Sequence, residues 1–329
     1  MRENMSNRIE WLDIAKGLGI FSIVIGHNAV PHFLHDWVYS FHVPLFFIIS
    51  GYFYRARTWR DTLAKGWKQL LRPMLLTILV AQALMLFLYV RHGFWSGPPF
   101  YKWLIGVVTL QHPGYTRSMW FLMSLFWGKL LFRWINTLPV FFQPILVIIL
   151  FSIGYFLHGV VEFIAWKFDC GLLVPFFLYI GTLLRRFNVV DHLSKAWFLA
   201  ISVPILCFAW MFKVDLVEMS LPLGFLSVIT MILISVTMLV DLKWFSERSS
   251  VPHRLFLYAG QNSLIILCVH SLIHTWQLDV LFWRSLPPIG NVHFVLGWGF
   301  VALAECVILV VAVYFLQKIP AVHRFFHSK

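Results

Sequence analysis

The sequence predicts an all-α integral membrane protein, a bundle of about ten transmembrane helices with both termini in the cytoplasm. Three observations predict it. Apolar residues make up 60% of the 329-residue chain and charged residues 12%, against about 25% charged in a typical soluble domain, and the mean hydropathy is +0.79. Apolar runs near the roughly 20 residues that cross a bilayer recur from one end of the chain to the other. Basic residues fall mostly on alternate connections between those runs.

Taken in order, the predicted spans are Leu12 to Val30, Val38 to Tyr54, Gln69 to Val90, Ser118 to Ile135, Val140 to Leu157, Lys167 to Leu184, Trp197 to Phe212, Leu221 to Val240, Leu255 to Thr275 and Phe294 to Gln317. They lack the period-2 alternation of an outer-membrane barrel. The run Phe100 to Leu110 is too short to cross and is expected to lie at the interface or to re-enter. The first run is long and carries no cleavage-site pattern, so it is expected to remain as the first span. With the N-terminus inside, the outer connections keep only Arg91, Lys102, Arg117, Lys167, Lys213 and Arg284 of the 26 Lys and Arg residues. The rest gather inside, apart from Lys16 within the first span, and this bias sets the orientation. It also accounts for the net charge of +12 without nucleic acid, because basic inner loops meet anionic lipid of the bilayer. No composition shift or long polar stretch marks a second domain, so residues 1–329 read as a single transmembrane domain with no soluble extra domain. Cys170, Cys207, Cys268 and Cys306 lie inside apolar runs without a close pair, which suits packing and suggests neither a disulfide framework nor a metal site.

The first span carries more than crossing requires. Lys16 and His27 are separated by three helical turns plus about 20°, so they share one face at depths about 16 Å apart. Ionisable groups in a membrane helix face a partner, a protein interior or a water-filled cavity. Asp13 lies three residues before Lys16, a spacing that makes an ion pair. Lys16 therefore has two readings, a snorkelling paired lysine near a helix end or a functional cation. His27 is either a hydrogen-bonded core residue or a base. Alternating the spans places His27, His42 of span two and His270 of span nine near one outer level, where imidazoles suit proton abstraction from a hydroxyl if they converge. If they do not, each faces its own neighbours.

Span two ends Ser50-Gly51, small residues that allow close helix packing; a nucleophilic Ser50 would need an adjacent base. The following loop, Arg55 to Arg72, is strongly basic. Most such loops only obey the positive-inside rule, yet Lys68 and Arg72 stand one turn apart at the mouth of span three and can grip phosphate groups from the cytoplasm.

Several of these pieces carry a family resemblance: Arg8-Ile-Glu-Trp-Leu-Asp-Ile-Ala-Lys-Gly, Lys16 and His27 with ten residues between, and Phe41-His-Val-Pro-Leu-Phe-Phe-Ile-Ile-Ser-Gly-Tyr52. Weaker ones are Leu71-Arg-Pro, Met119-Trp-Phe-Leu122 and Gly260-Gln-Asn-Ser-Leu followed by His270. On these the chain resembles bacterial membrane acyltransferases of the acyltransferase-3 family, in its fucose 4-O-acetylase-like branch. The middle spans match only in hydropathy.

The resemblance implies a multi-pass enzyme of the bacterial inner membrane, moving acetyl groups from cytoplasmic acetyl-CoA to a hydroxyl of a cell-surface or lipid-linked glycan on the outer side. It implies acetyl-CoA as co-substrate, with no permanently bound cofactor. His27 would be the essential histidine and Lys16 its basic partner. Asp13, His42, Ser50, Trp120, Asn262 and His270 would support them, and Lys68 and Arg72 would hold the acyl-CoA. The family often shows Arg-x-x-Arg before span three, whereas Gln69 stands three before Arg72 here, leaving Lys68 as the nearest cation. A different class, a transporter or flippase of a lipid-linked glycan, would use Lys16, Glu305 and the histidines for coupling or binding. The chain shows no symmetric halves of the kind such proteins often carry.

Overall fold

A computed structural model describes residues 9–28, 30–92, 100–109, 118–161, 164–193, 195–247, 251–275 and 290–327. In chain order the helices are α1 (Glu10–His27), α2 (His32–Tyr39), α3 (His42–Tyr52), α4 (Trp59–Gly66), α5 (Arg72–His92), α6 (Phe100–Thr109), α7 (Trp120–Ile135), α8 (Phe142–Val160), α9 (Phe168–Arg186), α10 (Val189–His192), α11 (Lys195–Phe208), α12 (Phe225–Ser246), α13 (Val251–Gln261), α14 (Ser263–Thr275), α15 (Gly290–Lys318) and α16 (Pro320–His327). A π turn, Trp67–Leu71, leads into α5, and 3₁₀ turns occupy Ala165–Lys167 and Ala209–Phe212. Among the described residues the β pairing is limited to an isolated bridge between Asp215 and Ser220.

Among the described residues four helices are long and apolar enough to cross a membrane: Phe142–Val160, Ala165–Arg186, Phe225–Ser246 and Val301–Lys318. They fall on the fifth, sixth, eighth and tenth predicted spans. The ninth is helical but bent by 81° between His253–Gln261 and Ser263–Ile273. Asn262 sits at the bend and its amide donates to the Tyr258 carbonyl at 2.9 Å, a side-chain bond that competes with continuing the helix. Predicted span two is broken as well. Pro44 lacks an N–H and its ring excludes the carbonyl four residues back, so the helix stops at Tyr39 and restarts at His42 with Pro44 in its first turn. The 11 residues of α3 rise only about 16 Å, half of a bilayer core. Helix α6 has 10 residues, as short as its sequence run, whose last residue Leu110 lies outside the described residues. Arg2, Arg8, Arg117, Arg248, Arg284 and Lys329, used in the charge argument, lie outside them too.

Two compact units organise the chain, the first made of residues 1–54, 180–266 and 289–311, the second of 55–179, 267–288 and 312–329. In the first, α1 packs against α13, α12, α2 and α3. Backbones touch where α1 meets α13: a Cβ on Gly17 would fall 2.0 Å from the Phe256 carbonyl oxygen, and one on Gly260 would fall 1.6 Å from that of Asp13. Glycines are what let membrane helices approach this closely. In the second unit, α7 packs against α4, α8 and the π turn, and Phe151 meets Phe176 and Phe177 edge-on. Apolar side chains also face outward, with Leu79 66%, Phe156 67% and Leu303 65% exposed. Such a surface suits lipid rather than water.

Candidate functional site

Helix α1 carries a polar cluster at each end. At its start the Lys16 ammonium meets the Asp13 carboxylate at 2.8 Å and lies 5.0 Å from the centre of the Phe53 ring, just past α3. Asp13 is buried and Lys16 half-buried, so the cation is screened by a carboxylate and an aromatic face rather than by water. Nearby, Glu10 binds His253 of α13 at 2.6 Å. Trp11 meets Tyr52 edge-on, and the Tyr52 carbonyl accepts from Arg185 at 3.3 Å. The pairing of Asp13 with Lys16 expected from their spacing is thus present.

At the other end His27 closes α1, half-buried. The next residue, Asn28, is buried and donates through Nδ2 to the Val24 carbonyl at 2.8 Å and to Glu305 of α15 at 2.6 Å. Glu305 is itself 6% exposed, a carboxyl group held inside a membrane helix. Gly26 lets the ring of Tyr39 come close, since a Cβ there would fall 2.9 Å from it. Tyr39 stacks on His35 at 4.0 Å and meets His42 edge-on at 4.8 Å. His42 is buried, and its Nδ1 bonds the Val38 carbonyl at 2.6 Å. A carbonyl only accepts, so Nδ1 carries the hydrogen and Nε2 keeps its lone pair. Tyr39 thus touches both Gly26, the residue before His27, and His42. His270 is fully buried in the part of α14 that belongs to the second unit.

The remaining expected residues sit as follows. Ser50 is in the last turn of α3, where α9 packs tightly: a Cβ on Gly181 would lie 2.0 Å from the Ile48 carbonyl oxygen and 2.9 Å from the carbonyl carbon of Gly51. That favours the packing reading of Ser50 and Gly51. Trp120 opens α7, edge-on to Phe121. Asn262 makes the bend already described.

In the second unit Lys68 is exposed on the π turn, an insertion often found at functional places in helices. Arg72 lies over the Phe325 ring of α16 at 3.8 Å. Arg133 of α7 reaches the start of the same loop: its side chain donates to the Arg57 carbonyl and lies 5.4 Å from the Trp59 ring. The Lys65 ammonium is held below the ordinary lysine range by burial and then by Arg57, with Asp61 opposing and Arg55 adding. Arg55 and Arg57 beside Lys65 add to the positive charge of this loop, which suits an anion with several oxygens.

Sequence reading missed three features here. Asn28 went unnoticed beside His27, although a buried amide next to a membrane histidine is itself a signal. Glu305 was legible as the one acid of the last predicted span, but its partner, 277 residues away, was not. Arg133 counted only as a basic residue of the inner side.

The acyltransferase-3 family model, described as an acyltransferase domain, matches residues 9–316. No curated protein and no solved structure matches the chain. The match runs through both polar ends of α1 and through the basic loop, and from it the chain is a membrane acyltransferase that belongs to the acyltransferase-3 family.

Proposed function

We propose that the protein is an O-acetyltransferase of the bacterial inner membrane, passing an acetyl group from cytoplasmic acetyl-CoA to a hydroxyl of a cell-surface or lipid-linked glycan on the outer side. The observation that carries this reading is the two-ended α1, with a paired cation at one end and a histidine beside a buried Asn28–Glu305 pair at the other. A donor from inside and an acceptor from outside need a path across the membrane with polar chemistry at both levels. The basic set Lys65, Lys68, Arg72 and Arg133 offers charge to the phosphates of CoA. In the reaction His27 takes the proton of the glycan hydroxyl as its oxygen attacks the thioester carbonyl. The new C–O bond forms, the C–S bond breaks, and the proton passes to the departing CoA thiolate. Asn28 and Glu305 fix the end of α1 that carries His27, and Lys16 holds positive charge on the donor side.

The test is direct. Purified protein in detergent is given acetyl-labelled acetyl-CoA with and without the host's chemically de-O-acetylated surface polysaccharide. Label appearing on the polysaccharide supports the reading; intact acetyl-CoA under conditions where the protein stays folded overturns it.

A further inference from the structure

The chemistry of α1 leaves one polar pair of the second unit unused. His158, near the end of α8, bonds through Nδ1 to Asp169 Oδ2, in the first turn of α9, at 2.7 Å. The Asp169 side chain is 3% exposed and that of His158 27%. Asp169 Oδ1 is buried and has no hydrogen-bond partner among the described residues. A buried polar atom without a partner is unusual and calls for a donor. With the carboxylate ionised, Nδ1 of His158 must donate, so in the neutral imidazole Nε2 is an acceptor. The part-exposed His158 ring therefore offers an acceptor, Nε2, for a hydroxyl or amide hydrogen, with Asp169 holding the ring from behind.

Three residues earlier stands Trp166, no more than about 11 Å from Asp169 along the chain. It is 47% exposed. Its backbone is left-handed, with φ 59, and so is that of Lys167, with φ 51. Two successive bulky residues in this region are strained, and strain of this kind collects where a side chain must be held in one pose. Here the pose is fixed from a second direction, because the indole N–H donates to the Val108 carbonyl of α6 at 3.0 Å. A tryptophan that only anchors the membrane interface turns its N–H toward headgroups and water. This one spends it on a backbone carbonyl of α6 and leaves ring surface exposed.

We propose that Trp166, His158 and Asp169 form a docking subsite for a sugar ring of the acceptor glycan, with the indole stacking on the ring's C–H face and His158, held by Asp169, accepting a hydroxyl hydrogen. It rests on the acetyl-transfer reading for the identity of the glycan as acceptor. By the charge bias, the connection between α8 and α9 is on the outer side, where such a glycan arrives.

The experiment uses the full chain in lipid nanodiscs, labelled acetyl-CoA and the host's de-O-acetylated polysaccharide as probe. Trp166→Gly suits the left-handed backbone and removes the ring, Trp166→Phe keeps a ring face, and Asp169→Asn replaces one acceptor oxygen with a donor and removes the charge that holds His158. Trp166→Gly should raise the polysaccharide KM about three- to tenfold, the range of an aromatic contact. Trp166→Phe should recover most of this, and Asp169→Asn should raise the same KM about tenfold. The acetyl-CoA KM should not move. An unchanged polysaccharide KM in Trp166→Gly and Asp169→Asn overturns the subsite, as does an equal rise in both KM values, which marks a structural role. If the unaltered protein transfers no acetyl group, the acetyl-transfer reading fails by itself. Binding of the same polysaccharide, measured by thermophoresis, then decides the subsite: weaker binding by Trp166→Gly supports it and equal binding overturns it.

Discussion

His27 is one side chain at the end of one helix, yet the proposed chemistry turns on its lone pair. General-base catalysis contributes about 10² to 10⁴ in rate, so His27→Ala should reduce acetyl transfer by at least that range while the protein still inserts and elutes as a folded species. A variant retaining a tenth or more of the rate would remove His27 from the role. Lys16 makes a different kind of claim, about electrostatics in a half-buried place. Its pair with Asp13 lies between the exposed case, worth about 0–1 kcal/mol, and the buried one, where losing a partner costs about 3–5 kcal/mol. Asp13→Asn should therefore destabilise by about 1–3 kcal/mol, and adding Lys16→Met should return part of that, since no ammonium is then left unpaired. Thermal unfolding of the two variants in detergent checks this; equal Tm values for the single and the double variant would mean the pair does little.

At the scale of elements, the α1–α13 contact is the most demanding piece of packing. The atoms facing Gly17 and Gly260 are backbone, which cannot rotate away. Gly260→Ala should thus force the helices apart and misplace Asp13 and Lys16, lowering Tm and activity together, whereas Gly159→Ala, with nothing within 4 Å of the added carbon, should be silent. The turn between α11 and α12 offers a pH test. Asp215 accepts from the N–H groups of Val217 and Glu218, yet burial, the largest influence, pushes its carboxyl above the ordinary value of 3.8. The folded state then holds the proton better than the unfolded one. This contribution is fully present below pH 3.8 and is lost as pH rises through the folded value. Asp215→Asn keeps an acceptor for Val217 without the charge, so it should raise Tm at pH 7 and change it little at pH 3.5. The opposite order, destabilisation at pH 7 only, would show that the charge is needed.

For the whole molecule, the proposal requires direction as well as chemistry. If Lys68 and Arg72 hold CoA phosphates, Lys68→Gln with Arg72→Gln should raise the acetyl-CoA KM and leave kcat at saturation nearly unchanged. A lower kcat at constant KM would assign the loop to folding instead. The basic bias further requires this loop and both termini to lie inside, so fluorescent-protein fusions at either end should glow and periplasmic phosphatase fusions there should stay inactive.

The sequence by itself determined the solvent. Composition and run length depend on the transfer of side chains into lipid, which is additive along the chain, and helical structure follows because a bilayer leaves no other partner for backbone N–H and C=O groups. It also determined the Asp13–Lys16 pair, whose spacing on one helix is local geometry. The motif around Lys16 and His27 was legible for the same reason. Breaks were harder to read: Pro44 and Asn262 were visible, but hydropathy averages over them, so spans two and nine look continuous although each is two helices. Only the tertiary structure decided what lies across from each functional side chain. Asn28 finds Glu305, Arg133 reaches the loop after α3, and His158 meets Asp169. These partners come from other elements of the chain, and which faces meet is set by packing, as where Gly17 and Gly260 meet backbone, a property of two surfaces together that no single run of sequence contains.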